Sequence, residues 1–164
     1  MRGARTNEIA ARVALAKSKW NHEIEFVDGT GGYGAGVIDQ LITAGYTPME
    51  VQFAGKADDP RYLNKRAEMW FRMVEWIKRG GALPNNTQLM KELTTPMYYF
   101  QNSKFQLESK EQIKKRLGFS PDIADALALT FALPEMPASS LNGIPMESDV
   151  TKCLHEYDPL DGDL

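Results

Sequence analysis

The chain has 164 residues, of which 43% are apolar and 25% charged, with a net charge of −3. That length supports one domain with a sizeable core. No apolar run nears the ~20 residues a membrane-spanning helix needs, and the opening MRGARTNEIAARV lacks a signal peptide's apolar centre. The single cysteine, Cys153, cannot close an internal disulfide, and no Cys/His spacing points to zinc, so a reducing cytoplasm is the expected setting. Charge is unevenly spread. Residues 1–133 hold 18 Lys/Arg and 15 Asp/Glu, whereas 134–164 hold Lys152 and seven acids, a basic body with an acidic tail that permits a polyanionic partner.

In chain order, Thr6 is placed to cap a helix with Ile9, Val13, Ala16 and Trp20 on one stripe. EIEFVD (23–28) reads as a buried strand. After a glycine cluster, a helix is predicted from about Gly36 to Ala44, with Val37, Ile38, Leu41 and Ile42 inward and Gly45 as its stop. MEVQFA (49–54) is a second strand. Strand, helix and strand with short links make a right-handed βαβ unit, so the strands should be parallel. The clearest helix is Leu63–Arg79, with Ala67, Trp70, Phe71, Val74 and Ile77 on one stripe and Gly80–Gly81 at its end. A short helix around Thr87–Leu93 precedes MYYFQNSKFQLES (97–109), two alternating runs about Asn102–Ser103 that predict a hairpin. KEQIKKRL (110–117) reads as a basic helical turn or two, and Pro121 opens a last helix, PDIADALALTFAL. From Pro134 onward, early prolines and scattered acids without periodicity predict a mostly disordered tail. The fold class is α/β, a mixed sheet with a parallel βαβ core plus a β-hairpin, helices on the faces.

GTGGYGAG (29–36) packs five glycines into eight positions. The spacing G-x-G-x-x-G between a strand and a helix is that of a dinucleotide fingerprint. No acid closes the following strand, no lysine follows the glycines, and Asp28 immediately before them would repel a phosphate. Asp28 itself is the stronger feature, because the carboxyl ends of strands are where open α/β sheets place their sites. Glycines after it let the backbone turn sharply. SPDIADAL supplies two more acids, Asp122 and Asp125, three apart on one helical face. A turn role for Asp28 and a macrodipole role for Asp122 are the plain alternatives. Asp125 sits among Ile123, Ala124, Ala126 and Leu127, where an unpaired charge is costly.

FVDGTGGYGAGVIDQL, NKRAEMWFRMVEWIKRGG and KEQIKKRLGFSPDIADALALTFA together resemble the nuclease domain of the large terminase subunit of tailed phages, a member of the RNase H-like superfamily. The resemblance covers roughly residues 3–133. It implies a partial RNase H-like nuclease domain over 1–133 and an acidic tail over 134–164. It also implies an endonuclease that cuts concatemeric phage DNA with two divalent ions, Mg²⁺ or Mn²⁺, held by carboxylates. Asp28 matches the acid at the end of the family's fourth strand. Both Asp122 and Asp125 fit the last acid site, Asp122 as the favoured ligand and Asp125 as a second ligand or outer partner. Magnesium prefers oxygen ligands and retains waters, so a few carboxylates suffice. A metal pair can activate water and stabilise the leaving oxygen of a phosphodiester displacement.

Two basic groups, Lys56, Arg61, Lys65 and Arg66, and Lys110, Lys114, Lys115 and Arg116, could contact DNA phosphates beside such a site. A solvated helix face explains each lysine singly. The implied partners are double-stranded DNA, the portal, the small terminase subunit and the missing N-terminal part of the large subunit, in the cytoplasm of a bacterial host. The chain departs from the family in two respects. No Walker A loop of an ATPase motor is present, and the three opening strands, the first bearing an essential aspartate, are lacking. EIEFVD would then have an open edge that invites self-association. A site short of one ligand should bind metal weakly, so the chain alone is expected to have little or no nuclease activity. The alternative is a non-catalytic DNA-binding or packaging-assembly module of the same fold.

Overall fold

The computed structural model describes residues 4–30 and 32–134. The expected acidic tail therefore lies outside the described residues, Pro134 apart. Among the described residues, six helices surround two small sheets.

Helix α1 (Thr6–Trp20) begins at Thr6, its expected cap, so the N-cap falls one residue earlier at Arg5, whose N–H donates to Glu8 Oε2 at 3.0 Å. Ala10 is its buried residue, and Trp20, expected on the inner stripe, is 71% exposed. Strand β1 (Phe26–Asp28) is shorter than EIEFVD, although the Glu25 carbonyl still accepts the Met49 N–H at 2.7 Å and Glu25 is buried just before it. The Glu25 carboxylate is held by Lys17 Nζ at 2.7 Å and His22 Nε2 at 3.1 Å. Helix α2 (Gly32–Thr43) starts four residues before the expected Gly36, so part of the glycine cluster is helical. Val37, Ile38 and Leu41 are buried as expected, whereas Ile42 faces out; Gly45, at φ +85°, follows the helix end. With Ala10, Val37 and Leu41, α1 and α2 make a small core of their own.

Strand β2 (Met49–Val51) pairs with β1 in parallel, with Phe26, Val27 and Asp28 opposite Met49, Glu50 and Val51. Among the described residues β1 has no other strand neighbour. Helix α3 (Lys65–Lys78) starts at Asn64, whose side chain accepts the Ala67 N–H at 2.9 Å, a cap that removes the expected first residues from the helix. It sends Ala67, Met69, Trp70 and Met73 into the main core, with Phe53, Leu89, Ala124 and Ala128 from other elements. Val74 lies outside that core at 36% exposure.

Helix α4 (Thr87–Leu93) leads into strands β3 (Tyr98–Gln101) and β4 (Lys104–Leu107), an antiparallel hairpin. Its turn residues Asn102 and Ser103 have φ of +51° and +61°, the left-handed pair a two-residue I′ turn needs. Helices α5 (Lys110–Leu117) and α6 (Asp122–Leu129) close the described chain. None of the described helices is long and apolar enough to cross a membrane.

Candidate active-site cleft

Asp28 stands at the carboxyl tip of β1. Gly29 N donates to Val51 O at 2.9 Å, which ties the tip to β2. Asp28 Oδ1 accepts the Thr30 N–H at 3.0 Å, and Thr30 Oγ1 accepts the Phe53 N–H at 2.9 Å. The aspartate thus folds the loop back over the end of the second strand. A Cβ on Gly34 would overlap the Asp28 carbonyl oxygen. Glycine there lets the start of α2 lie against the strand tip, a clearance role for the cluster.

Asp28 lines a cleft of about 310 Å³ shared with Arg66, Gln106, Ser109, Lys110 and Glu111, over Phe53 and Leu107. Beneath it lies Asp125, 2% exposed, on the first turn of α6. Its carboxylate is enclosed by donors. Arg66 Nε reaches Oδ1 at 2.9 Å and Nη2 reaches Oδ2 at 3.5 Å, Trp70 Nε1 donates to Oδ1 at 2.7 Å, and Lys110 Nζ stands 3.2 Å from Oδ2. Arg66 also donates from Nη1 to the Glu108 carbonyl at 2.9 Å. Arg66 and Lys110 therefore line the cleft above while gripping the aspartate below.

The frame around this grip is polar and buried. Glu92, 3% exposed, accepts the Ile123 and Ala124 N–H groups on Oε2 at 2.7 and 3.0 Å, so a carboxylate from α4 caps α6, whose own flanking Pro121 offers no side-chain acceptor. Glu108 is clasped by Arg116, with 3.0 Å from Nε to Oε1 and 2.5 Å from Nη2 to Oε2; that guanidinium hydrogen bond holds the Glu108 carboxyl below its ordinary range. At the rim, its own backbone N–H and the Ser109 side chain hold the Glu111 carboxyl below its ordinary range.

Of the three aspartates singled out in the sequence, Asp28 lines the cleft and Asp125 meets the cleft's two cations. Asp122, favoured as a ligand, is exposed and does not line the cleft. Among the described residues no group of three His, Cys, Asp or Glu side chains comes together as a metal would require. The basic residues divide. Arg66 is buried on Asp125; Arg116 is held by Glu108; Arg61 pairs with Asp59 at 2.7 Å; Lys65 pairs with Asp58 at 2.6 Å and Glu68 at 3.0 Å. Lys56, Lys114 and Lys115 are exposed. Ion pairs within the domain thus engage Arg61, Lys65, Arg66 and Arg116.

Sequence reasoning missed Gln106, Ser109 and Glu111 as cleft residues and Glu92 as a cap. It required a partner for Asp125 by burial alone. No spacing signal could identify Arg66 and Trp70, which lie 59 and 55 positions away.

No protein-family profile and no curated protein matches the sequence. Solved structures do match. The manganese-bound nuclease domain of the large terminase subunit gp2 of bacterial virus Sf6, a lysine-to-alanine variant, superposes with a TM-score of 0.63 at 22% identity, covering 80% of this chain and 74% of that one. A calcium-bound variant gives 0.62 at 21% identity over 80% and 73%, and another structure of the same domain gives 0.60 at 22% over 80% and 73%. The chain shares its fold with these terminase nuclease domains.

Proposed function

We propose that the chain is the DNA-cleaving part of a phage packaging terminase large subunit, with its metal centre incomplete in these residues. The carrying observation is the single cleft in which Asp28, at a strand tip, faces the two cations that grip Asp125, within a fold shared with terminase nuclease domains solved with manganese or calcium.

A divalent pair is not accommodated by the described residues. Hard cations want several oxygen ligands. Asp28 is one carboxylate with one oxygen already accepting Thr30 N–H, and both oxygens of Asp125 are occupied by nitrogen donors. Glu111 adds an ionised carboxylate at the rim, and no third joins them among the described residues. Completion requires a carboxylate from outside them, the first-strand aspartate of the resemblance. In this reading Asp28 is the metal-facing acid, Asp125 anchors Arg66 and Lys110, and the half-exposed Lys110 ammonium neutralises scissile-strand phosphate. Double-stranded DNA is the substrate and Mg²⁺ or Mn²⁺ the ion supplied.

The pairing of Asp125 with three donors also supports a second reading, a non-catalytic DNA-binding or packaging-assembly module. Plasmid nicking with Mg²⁺ and Mn²⁺, for this chain alone and fused to the N-terminal part of a terminase large subunit, separates them. The nuclease reading expects an intact plasmid with the chain alone, cleavage by the fusion, and loss of that cleavage in Asp28→Asn. A fusion whose cleavage Asp28→Asn leaves unchanged, or an inert fusion that still binds DNA, refutes it.

A further inference from the structure

Strand β3 has one covered edge and one open edge. On the covered side, Glu108 N–H donates to the Met97 carbonyl at 2.7 Å and Met97 N–H to Glu108 Oε2 at 3.3 Å. Inward bonding alternates along an antiparallel strand, so Tyr99 and Gln101, opposite Gln106 and Lys104, also bond toward β4. The N–H and C=O groups of Tyr98 and Phe100 then point outward, and among the described residues no other segment bonds them. The far side of β4 is closed. Phe105 N–H donates to the Arg61 carbonyl at 2.8 Å, and the Phe105 carbonyl accepts Leu63 N–H at 2.9 Å. Every residue of β3 is exposed, Tyr98 at 60% and Phe100 at 63%. Met97–Gln101 carries neither a charge nor a proline, the devices that blunt an edge strand.

We propose that β3 pairs antiparallel with β3 of a second copy of this chain, about a two-fold axis at Tyr99. The backbone selects that occupant. Tyr98 and Phe100 lie two positions apart, so a reversed copy sets the outward N–H and C=O of each against those of the other. In this register Met97 faces the partner's Gln101, Tyr98 the partner's Phe100, and Tyr99 the partner's Tyr99. None of these is charged, so no like charges meet, and the aromatic pairs across the strands add to the backbone bonds. The Tyr98 and Phe100 rings extend a row that already runs from Phe71 to Phe105, with Phe71 5.7 Å from Tyr98 and Phe105 4.5 Å from Phe100. Because Arg61 and Leu63 occupy the outer side of β4, the pairing closes at two copies and does not grow into a longer sheet. The surface is separate from the open side of β1 and does not rest on the nuclease reading.

An edge this short buries less than a standard interface, so the dimer should be weak and depend on concentration. The test is sedimentation velocity of the full chain over about a hundredfold range of concentration. The parent should move from 18.4 kDa toward twice that mass as concentration rises. Tyr99→Lys and Tyr99→Glu each set like charges opposite one another at the axis and should stay monomeric. Tyr99 belongs to none of the ring pairs among the described residues, so both variants should melt as the parent does. An equal mixture of the two variants sets a cation against an anion and should associate again. A parent that is monomeric throughout, or whose association neither substitution weakens, overturns the proposal. A mixture that stays monomeric, made from variants that melt as the parent does, overturns the axis at Tyr99.

Discussion

Arg66 Nε stands 2.9 Å from Asp125 Oδ1, and both residues are buried, at 8% and 2% exposure. The pair fastens α3 to α6 and, through Arg66 Nη1 on the Glu108 carbonyl, to the end of the hairpin. A buried ion pair offsets its own desolvation only when its remaining groups are bonded as well. Here Trp70 Nε1 and Lys110 Nζ complete the shell.

Removing one partner strands the other. Asp125→Ala should cost about 3–5 kcal/mol because Arg66 is left charged in the core. The double change Arg66→Met with Asp125→Leu should recover much of that loss, since both charges leave together. Urea unfolding of parent, single and double variants measures the difference. A single variant as stable as the parent would show that the pair carries no stability.

A second buried acid, Glu92, has no cation against it among the described residues. Glu92 Oε2 takes the Ile123 and Ala124 N–H groups, and Gln88 Nε2 bonds Oε1 at 2.8 Å. The first N–H groups of a helix have no partner within it, and negative charge there is favoured by the helix dipole. Glu92→Ala should destabilise by about 1–2 kcal/mol, and Glu92→Gln, which keeps one acceptor, by less. Hydrogen exchange should localise the loss: Ile123 and Ala124 amides exchange faster in both variants while α1 amides do not change.

The contrast between these two acids shows what a linear pattern can carry. The sequence placed a short helix around Thr87–Leu93 and the hairpin turn at Asn102–Ser103, and both are found there, because both depend on neighbours a few positions apart. Burial of Asp125 was legible from the apolar residues beside it, so a partner was required. Which partner was not legible, because Arg66 and Trp70 meet it only through packing of distant helices. The early start of α2 was hidden for a related reason. Glycine-rich sequence has low helix propensity, and contact with the β1 tip outweighs it. Glu111 entered the cleft unannounced because a charged residue in a basic helix carries no mark of the face it borders.

The hairpin turn sets a separate expectation. Ser103 holds φ +61°, a region that costs a side-chain-bearing residue about 1–2 kcal/mol and glycine almost nothing. Ser103→Gly creates the Asn-Gly pair favoured in such turns and should stabilise by up to about 1 kcal/mol. Thermal melting would register this as a rise of a few degrees; a fall would mean that the Ser103 side chain contributes more than its backbone strain costs.

Acid should loosen the hairpin's far end. The Glu108 carboxyl is held below its reference value of 4.5, first by the Arg116 hydrogen bond and further by the Met97 N–H. A carboxyl with a depressed folded pKa contributes its full stabilisation above the unfolded value, and loses it as pH falls through the folded one. Stability should therefore drop as pH falls below about 4.5. Glu108→Gln should be less stable than the parent near pH 7 and should show a smaller drop in acid. Parallel pH–stability curves for the two proteins would remove Glu108 from the acid response.

Two glycines in the first turn of α2, Gly32 and Gly34, make opposite predictions. A Cβ on Gly34 would overlap the Asp28 carbonyl oxygen, a backbone atom fixed by the parallel strand pair, whereas a Cβ on Gly32 meets nothing within 4 Å. Gly34→Ala must push the start of α2 off the strand tip, at about 1–3 kcal/mol, as in other overpacked sites. Gly32→Ala replaces a poor helix former at an open helical position and should be neutral or stabilising by up to about 1 kcal/mol. A phosphate-cradling loop would behave otherwise: both alanines would reduce nucleotide affinity and neither need alter stability. Melting of the two variants, with and without ATP, therefore tests the purpose of the glycine cluster. Destabilisation confined to Gly34→Ala, with no protection by nucleotide, leaves clearance around Asp28 as its role, and equal melting of both variants would remove that role.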